Sequence, residues 1–212
     1  RMSPIARNRG KVLRRLYSSL GMVYFGSVHQ HDDDFDSIRG FTASLSHKDL
    51  HYAVGTHNGY NLRMVDRFDV VRGYKKGNHS QFWTIIEIDL HRNGLPHTVF
   101  IPTGSISREY ARVFAALPHL QPLNSLLTDT HSREFHGRFQ ILARPTYLHK
   151  IEEIFSSPVI SAVATRFWPH GIEIEHGKLL VHLTDKHLSR SLLESTLASA
   201  FWLAAAIDET EE

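Results

Sequence analysis

Residues 51–65 read HYAVGTHNGYNLRMV. At their centre Asn58-Gly59 is the dipeptide best suited to a two-residue type I′ turn, which requires positive φ at both central positions. Before it stand Tyr52, Ala53 and Val54, and after it Leu62, Arg63, Met64 and Val65, a pattern that fits a pleated, half-buried surface. The reading is a β-hairpin, and the fold grows outward from it. GMVYFGSVHQ (21–30) reads as a preceding strand, and the residues after the hairpin run on through MVDRFDVV (64–71). A polar loop, GYKKGNHS (73–80), leads into QFWTIIEIDLH (81–91), and Arg92-Asn93-Gly94 turns the chain into PHTVFIPTG (96–104). Residues 21–104 are therefore expected to form a meander of mostly antiparallel strands.

The second half changes period. SREYARVFAALPHL (107–120) predicts a helix with Ser107 as its N-cap and Glu109 in its first turn. REFHGRFQILAR (133–144) ends in a strand, residues 145–168 are helical with a break near Pro158, and GIEIEHGKLLVHLTD (171–185) is a hairpin around His176-Gly177. In the last segment Leu188, Leu192, Leu193, Leu197, Ala200, Phe201, Ala204 and Ile207 share one helical face, with Ser189 or Thr184 as cap. Strands first, then helices mixed with hairpins, point to an α+β fold with helices packed on one face of an antiparallel sheet and a long C-terminal amphipathic helix.

Composition narrows the function classes. The 212 residues contain no cysteine, which excludes disulfides, zinc–thiolate sites and thiol nucleophiles. Glycine-rich phosphate loops, dinucleotide fingerprints, HExxH and Gly-x-Ser-x-Gly are absent from the sequence. The net charge of +2 hides an asymmetry. Arg1, Arg7, Arg9, Lys11, Arg14 and Arg15 crowd the first fifteen residues with no acid, and the body carries 18 basic against 22 acidic residues. Residues 1–20 are accordingly expected to be a basic arm, in which KVLRRLYSSL (11–20) has helical spacing, ahead of a single domain over 21–212. Arg7, Arg9, Lys11, Arg14 and Arg15 are its candidate ligands for an anionic surface. An acidic body speaks against nucleic acid as the partner.

Histidine is the abundant titratable residue, with 16 copies. HKDLH places His47, Asp49 and His51 at alternate positions, which on a regular strand share one face and suit a divalent transition metal. His29, His31 and Asp36 of HQHDDDFD (29–36) are the further candidates for that shell, and the result would be a metal-dependent hydrolase or nuclease. The same alternation is also that of a strand with one wet face, and HQHDDDFD lacks the glycine that a calcium loop of the EF-hand kind needs. Glu87, Asp89 and His91 also alternate, in TIIEIDLH.

RGFTASLSHKDLHYAVGTHNGYNLRMVDR (39–67) and FWTIIEIDLHRNGLPHTVFI (82–101) together resemble conserved uncharacterised proteins of small-genome, host-dependent bacteria. The second half, with Phe135, Phe139, Gln140 and Ile141 ahead of a helix, a hairpin and a last helix, is similar to a domain of unknown function in bacterial membrane-associated proteins. The resemblance implies a setting and no catalytic residues: a module on the cytoplasmic side of a membrane, part of a longer chain. Together with the basic arm and the lack of a catalytic signature it leads to the expectation of a non-catalytic module with an unknown protein or an anionic membrane surface as partner and no cofactor. The start at Arg1 rather than Met fits that expectation, the alternative being a protein free in the cytoplasm.

Overall fold

The computed structural model describes residues 3–28, 46–72, 77–104, 117–123 and 133–209. Among these residues the strands are β1 (Val23–Val28), β2 (Ser46–His57), β3 (Tyr60–Arg72), β4 (Asn78–Asp89), β5 (Thr98–Pro102), β6 (Gln121–Pro122), β7 (Phe139–Ala143), β8 (Gly171–Glu175) and β9 (Lys178–Leu183). They form one nine-stranded sheet in the order β1-β2-β3-β4-β9-β8-β5-β7-β6, antiparallel at every pairing. The helices are α1 (Pro4–Ser19), α2 (Arg133–Arg138), α3 (Leu148–Ile154), α4 (Ser157–Arg166) and α5 (Arg190–Glu209). The fold is α+β.

Local chemistry explains the two tight hairpins. Asn58 and Gly59 have φ of 51° and 80°, and His57 pairs with Tyr60 across them. His176 and Gly177 repeat the arrangement at 50° and 71°, closing Glu175 against Lys178. Ser189 caps α5 by accepting the Leu192 N–H at 3.1 Å. The expected helix at 107–120 falls mostly outside the described residues.

Two features depart from the sequence reading. First, residues 21–104 do not close a meander of their own, because the β8–β9 hairpin inserts between β4 and β5. The chain leaving β4 is tied to that hairpin, the Leu90 N–H donating to the Gly177 carbonyl at 2.8 Å. It then crosses three strand spacings, about 14 Å, to enter β5. Val99 and Ile101 lie in one core and Phe100 in the other, so β5 is apolar on both faces, as an interior strand must be.

Second, residues 4–19 are no separate arm. Leu13, Leu16 and Tyr17 of α1 join the main core beside Met64 and Ile86, together with Ile160 of α4 and Leu197 and Ala200 of α5. All the helices contributing to this core lie on one face of the sheet. The opposite face carries a second cluster around Tyr52, Val65, Trp83, Ile85, Val99 and Leu180. Arg9 stands four and seven residues before Leu13 and Leu16, so it shares their face and is driven into the core. Its guanidinium, 1% exposed, donates to both oxygens of Asp66 at 2.8 and 2.6 Å and to Thr84 Oγ1 at 2.7 Å. It also donates to the carbonyls of Asp185 and Lys186 and lies 4.6 Å over the Phe82 ring.

Removing one partner of such a pair strands a charge in the core. Arg9→Ala is expected to cost roughly 3–5 kcal/mol in denaturant unfolding, whereas the joint replacement Arg9→Met with Asp66→Leu recovers most of that loss.

Candidate functional site

Of the proposed metal shell, His29, His31 and Asp36 lie outside the described residues, as does the side chain of His47. The other two members are separated by a β-bulge. Leu50 pairs with Asp66 and Ala53 with Met64, so His51 and Tyr52 together oppose the single residue Val65. His51 takes up the extra residue at φ 55°. Its ring turns to the helical side, where a Cβ on Gly10 of α1 would approach within 2.7 Å of it, and Nδ1 meets the Tyr24 hydroxyl at 2.8 Å. Burial holds its pKa below the ordinary imidazole value. Asp49 points to the other face and accepts two bonds from Arg67, at 2.7 and 2.9 Å. The structure does not bring Asp49 and His51 to one ion.

Glu87 and Asp89 have cationic partners as well. Arg63 donates to Glu87 at 2.7 Å and to Asp89 at 2.7 Å, and Lys178 reaches Glu87 at 3.1 Å. His91 stacks on Tyr60, its ring 4.6 Å away. These are structural ion pairs between neighbouring strands.

The basic cluster divides. Arg9 is consumed by the core, which removes it from any surface. Arg7, Lys11, Arg14 and Arg15 are exposed and, at 100° per residue, occupy an arc of about 100° on the outer face of α1. Among the described residues, no carboxylate lies within ion-pair distance of these four.

A group that the sequence reading missed converges on the second face. Glu173 and Glu175 alternate on β8, and His97 lies at the entry to β5. Among the described residues these three form the one set whose ligand atoms all fall within 4.8 Å of each other. His97 Nε2 is 2.8 Å from Glu173 Oε1. On its other side, His97 Nδ1 is 3.3 Å from His119 Nε2 and 3.8 Å from Glu175 Oε1. Glu173 is 1% exposed, and burial raises its pKa despite the opposing effect of His97. Its Oε2 has no hydrogen-bond partner and stands 3.7 Å from His182 Nε2. His119 is held below the ordinary imidazole pKa, first by desolvation and then by His97, with Glu175 acting the other way. A cavity of about 670 Å³ opens beside His97, His119 and Glu175, with Arg144 and Tyr147 on its wall. The I-E-I-E alternation at 172–175 was a visible signal, but His97 and His119 come from segments that only the tertiary fold brings to it.

No family model and no curated protein matches this chain. Among solved structures it is similar to the crystal structure of the mycobacterial trehalose monomycolate transport factor A, TtfA. The TM-score is 0.62 at 11% identity, over 95% of both chains. The likeness establishes a shared fold along almost the whole length. Among the described residues, no helix is long and apolar enough to cross a membrane.

Behind the cluster, burial and secondarily Arg67 push His182 down to about 3. Below its ordinary value of 6.5 the unfolded chain takes up a proton that the native state refuses, so stability falls as pH falls from about 6.5 towards 3. Acidification from pH 7 to 5 is expected to cost roughly 2 kcal/mol through this group. His182→Gln should lose that part of the slope, as read from urea midpoints at the two pH values.

Proposed function

We propose that the chain is a non-catalytic α+β module of a membrane-associated bacterial protein, working at the cytoplasmic side of the membrane and docking through the outer face of α1 on an anionic lipid surface. The observation that carries this reading is the division of the basic cluster. One arginine anchors the helix, and Arg7, Lys11, Arg14 and Arg15 are left outward with no acid within ion-pair distance among the described residues. A helix held rigidly on a sheet presents its charges without the ordering cost of a loose tail. The fold shared with a protein named as a trehalose monomycolate transport factor supports the setting, as does the resemblance of residues 39–67 and 82–101 to proteins of host-dependent bacteria. A protein partner bearing an acidic surface is the second reading that the same four charges serve.

Each basic side chain near an anionic membrane contributes about 1 kcal/mol, so four amount to a factor on the order of a thousand in partitioning. Sedimentation with phosphatidylserine-containing vesicles at low salt should carry the protein down, and vesicles of phosphatidylcholine alone should not. The variant Arg7→Glu, Lys11→Glu, Arg14→Glu, Arg15→Glu should stay in solution, and so should the parent protein at high salt, where screening shortens the range of the attraction. Failure of the parent protein to bind at low salt, or unchanged binding by the quadruple variant, removes the lipid reading.

A further inference from the structure

We propose that His97, His119 and Glu175 bind a single divalent transition-metal ion of the zinc class at the edge of the cavity, and that Glu173 is the positioning residue behind His97. The inference is independent of membrane docking, since it uses no residue of α1.

At zinc-to-nitrogen and zinc-to-oxygen bonds of about 2.0–2.1 Å, neighbouring ligands of a tetrahedral ion stand roughly 3.3–3.4 Å apart. His119 Nε2 lies 3.3 Å from His97 Nδ1, and Glu175 Oε1 lies 3.8 Å from the same nitrogen. Two imidazoles and a carboxylate are a donor set suited to zinc; His97 stands between the other two, and because His119 lies outside the set of ligand atoms within 4.8 Å of each other, its ring and the Glu175 carboxylate must close on the ion as it binds.

The tautomer follows from the other side of the ring. Glu173 Oε1 at 2.8 Å accepts the proton of His97 Nε2, which leaves the Nδ1 lone pair directed at His119 and Glu175. A buried carboxylate behind a ligating imidazole orients the ring and strengthens it as a donor. Glu173 has the burial for that role, and its other oxygen makes no hydrogen bond. The competing arrangement is a hydrogen bond from His119 Nε2–H to His97 Nδ1, in which no lone pairs converge.

Glu175 and Glu173 sit on β8, and His97 is two residues ahead of Val99, which pairs with Glu173 across β5 and β8. Ligands on paired strands are held by the sheet itself. His119 precedes β6, the edge strand, and is half-buried at the mouth of the cavity. The cavity wall beyond the three ligands includes Arg144 and Tyr147.

The test uses the full chain without a histidine tag, stripped with EDTA. Calorimetric titration with Zn²⁺ should show one equivalent bound, with a rise in the thermal midpoint. Co²⁺ should give the visible absorption of a site of low coordination number. His97→Ala and His119→Ala should each weaken Zn²⁺ binding at least about a hundredfold, and Glu173→Gln by roughly ten- to a hundredfold. Rescue of the Co²⁺ spectrum at high metal concentration in Glu173→Gln would separate positioning from ligation. His47→Ala and His51→Ala should bind like the parent chain. His119 is outside the two cores, so its replacement leaves the fold intact, which far-UV circular dichroism checks. An absence of saturable binding below roughly 100 µM overturns the site and leaves the hydrogen-bonded pair. Parent-like affinity in His119→Ala, or loss of binding in His47→Ala, overturns it too, by moving the ion elsewhere.

Discussion

One guanidinium joins four parts of this molecule. Asp66 faces the helical side of β3, where a carboxylate can be buried only if its charge is met. Arg9 meets it with two N–H bonds, takes in Thr84 of β4, and spends its remaining donors on the Asp185 and Lys186 carbonyls ahead of α5. Helix α1, two strands and the lead into α5 are thereby held in one arrangement. The rotation of α1 about its axis is set by the same contact. With Arg9, Leu13 and Leu16 turned inward, Arg7, Lys11, Arg14 and Arg15 have only the outward side. The surface charge of this face is a consequence of a buried pair.

That consequence was half legible in the sequence. Six cations in fifteen residues without an acid look like a solvated tail, because nothing local supplies the counter-charge; Asp66 is 57 residues further on. The helical spacing of Arg9, Leu13 and Leu16 was there to be read, and it argued for a docked helix. Elsewhere, features governed by local chemistry were readable: Asn58-Gly59 and His176-Gly177 specify their turns, Ser189 its cap, and the leucines of 188–207 their face. Strand partners further apart were not. Nothing in residues 81–104 announces that a hairpin from residues 171–183 will enter between β4 and β5, since that pairing is decided by which apolar faces the whole chain can bury.

The candidate sites show the same division. His47, Asp49 and His51 looked like a ligand row on the assumption that a strand keeps its period of two. A single extra residue at His51 breaks the period, as bulges do, and sends the ring under α1, where Gly10 leaves room for it. Asp49 keeps the expected face and finds Arg67 there. The charges on that face are matched strand to strand, Asp49 with Arg67 and Glu87 with Arg63 and Lys178, and a matched lattice of this kind is structural. Glu173 is the exception, because its neighbours are imidazoles, neutral or charged according to their surroundings.

The sheet keeps the two proposed activities apart. The cationic face belongs to a helix packed on one side of β3 and β4, and Glu173 projects from the other side of β8, in register with Leu180 of the second core. A membrane or acidic partner engaged by α1 lies across the sheet from the cavity beside His97, so docking need not cover the cavity. The fold shared with the mycobacterial transport factor does not choose between these features, because at 11% identity it carries no side chain from one protein to the other. What distinguishes this chain must come from its own residues: a helix turned outward by Arg9, and an imidazole aimed by Glu173. Each depends on a buried charge that holds a neighbouring group in one orientation.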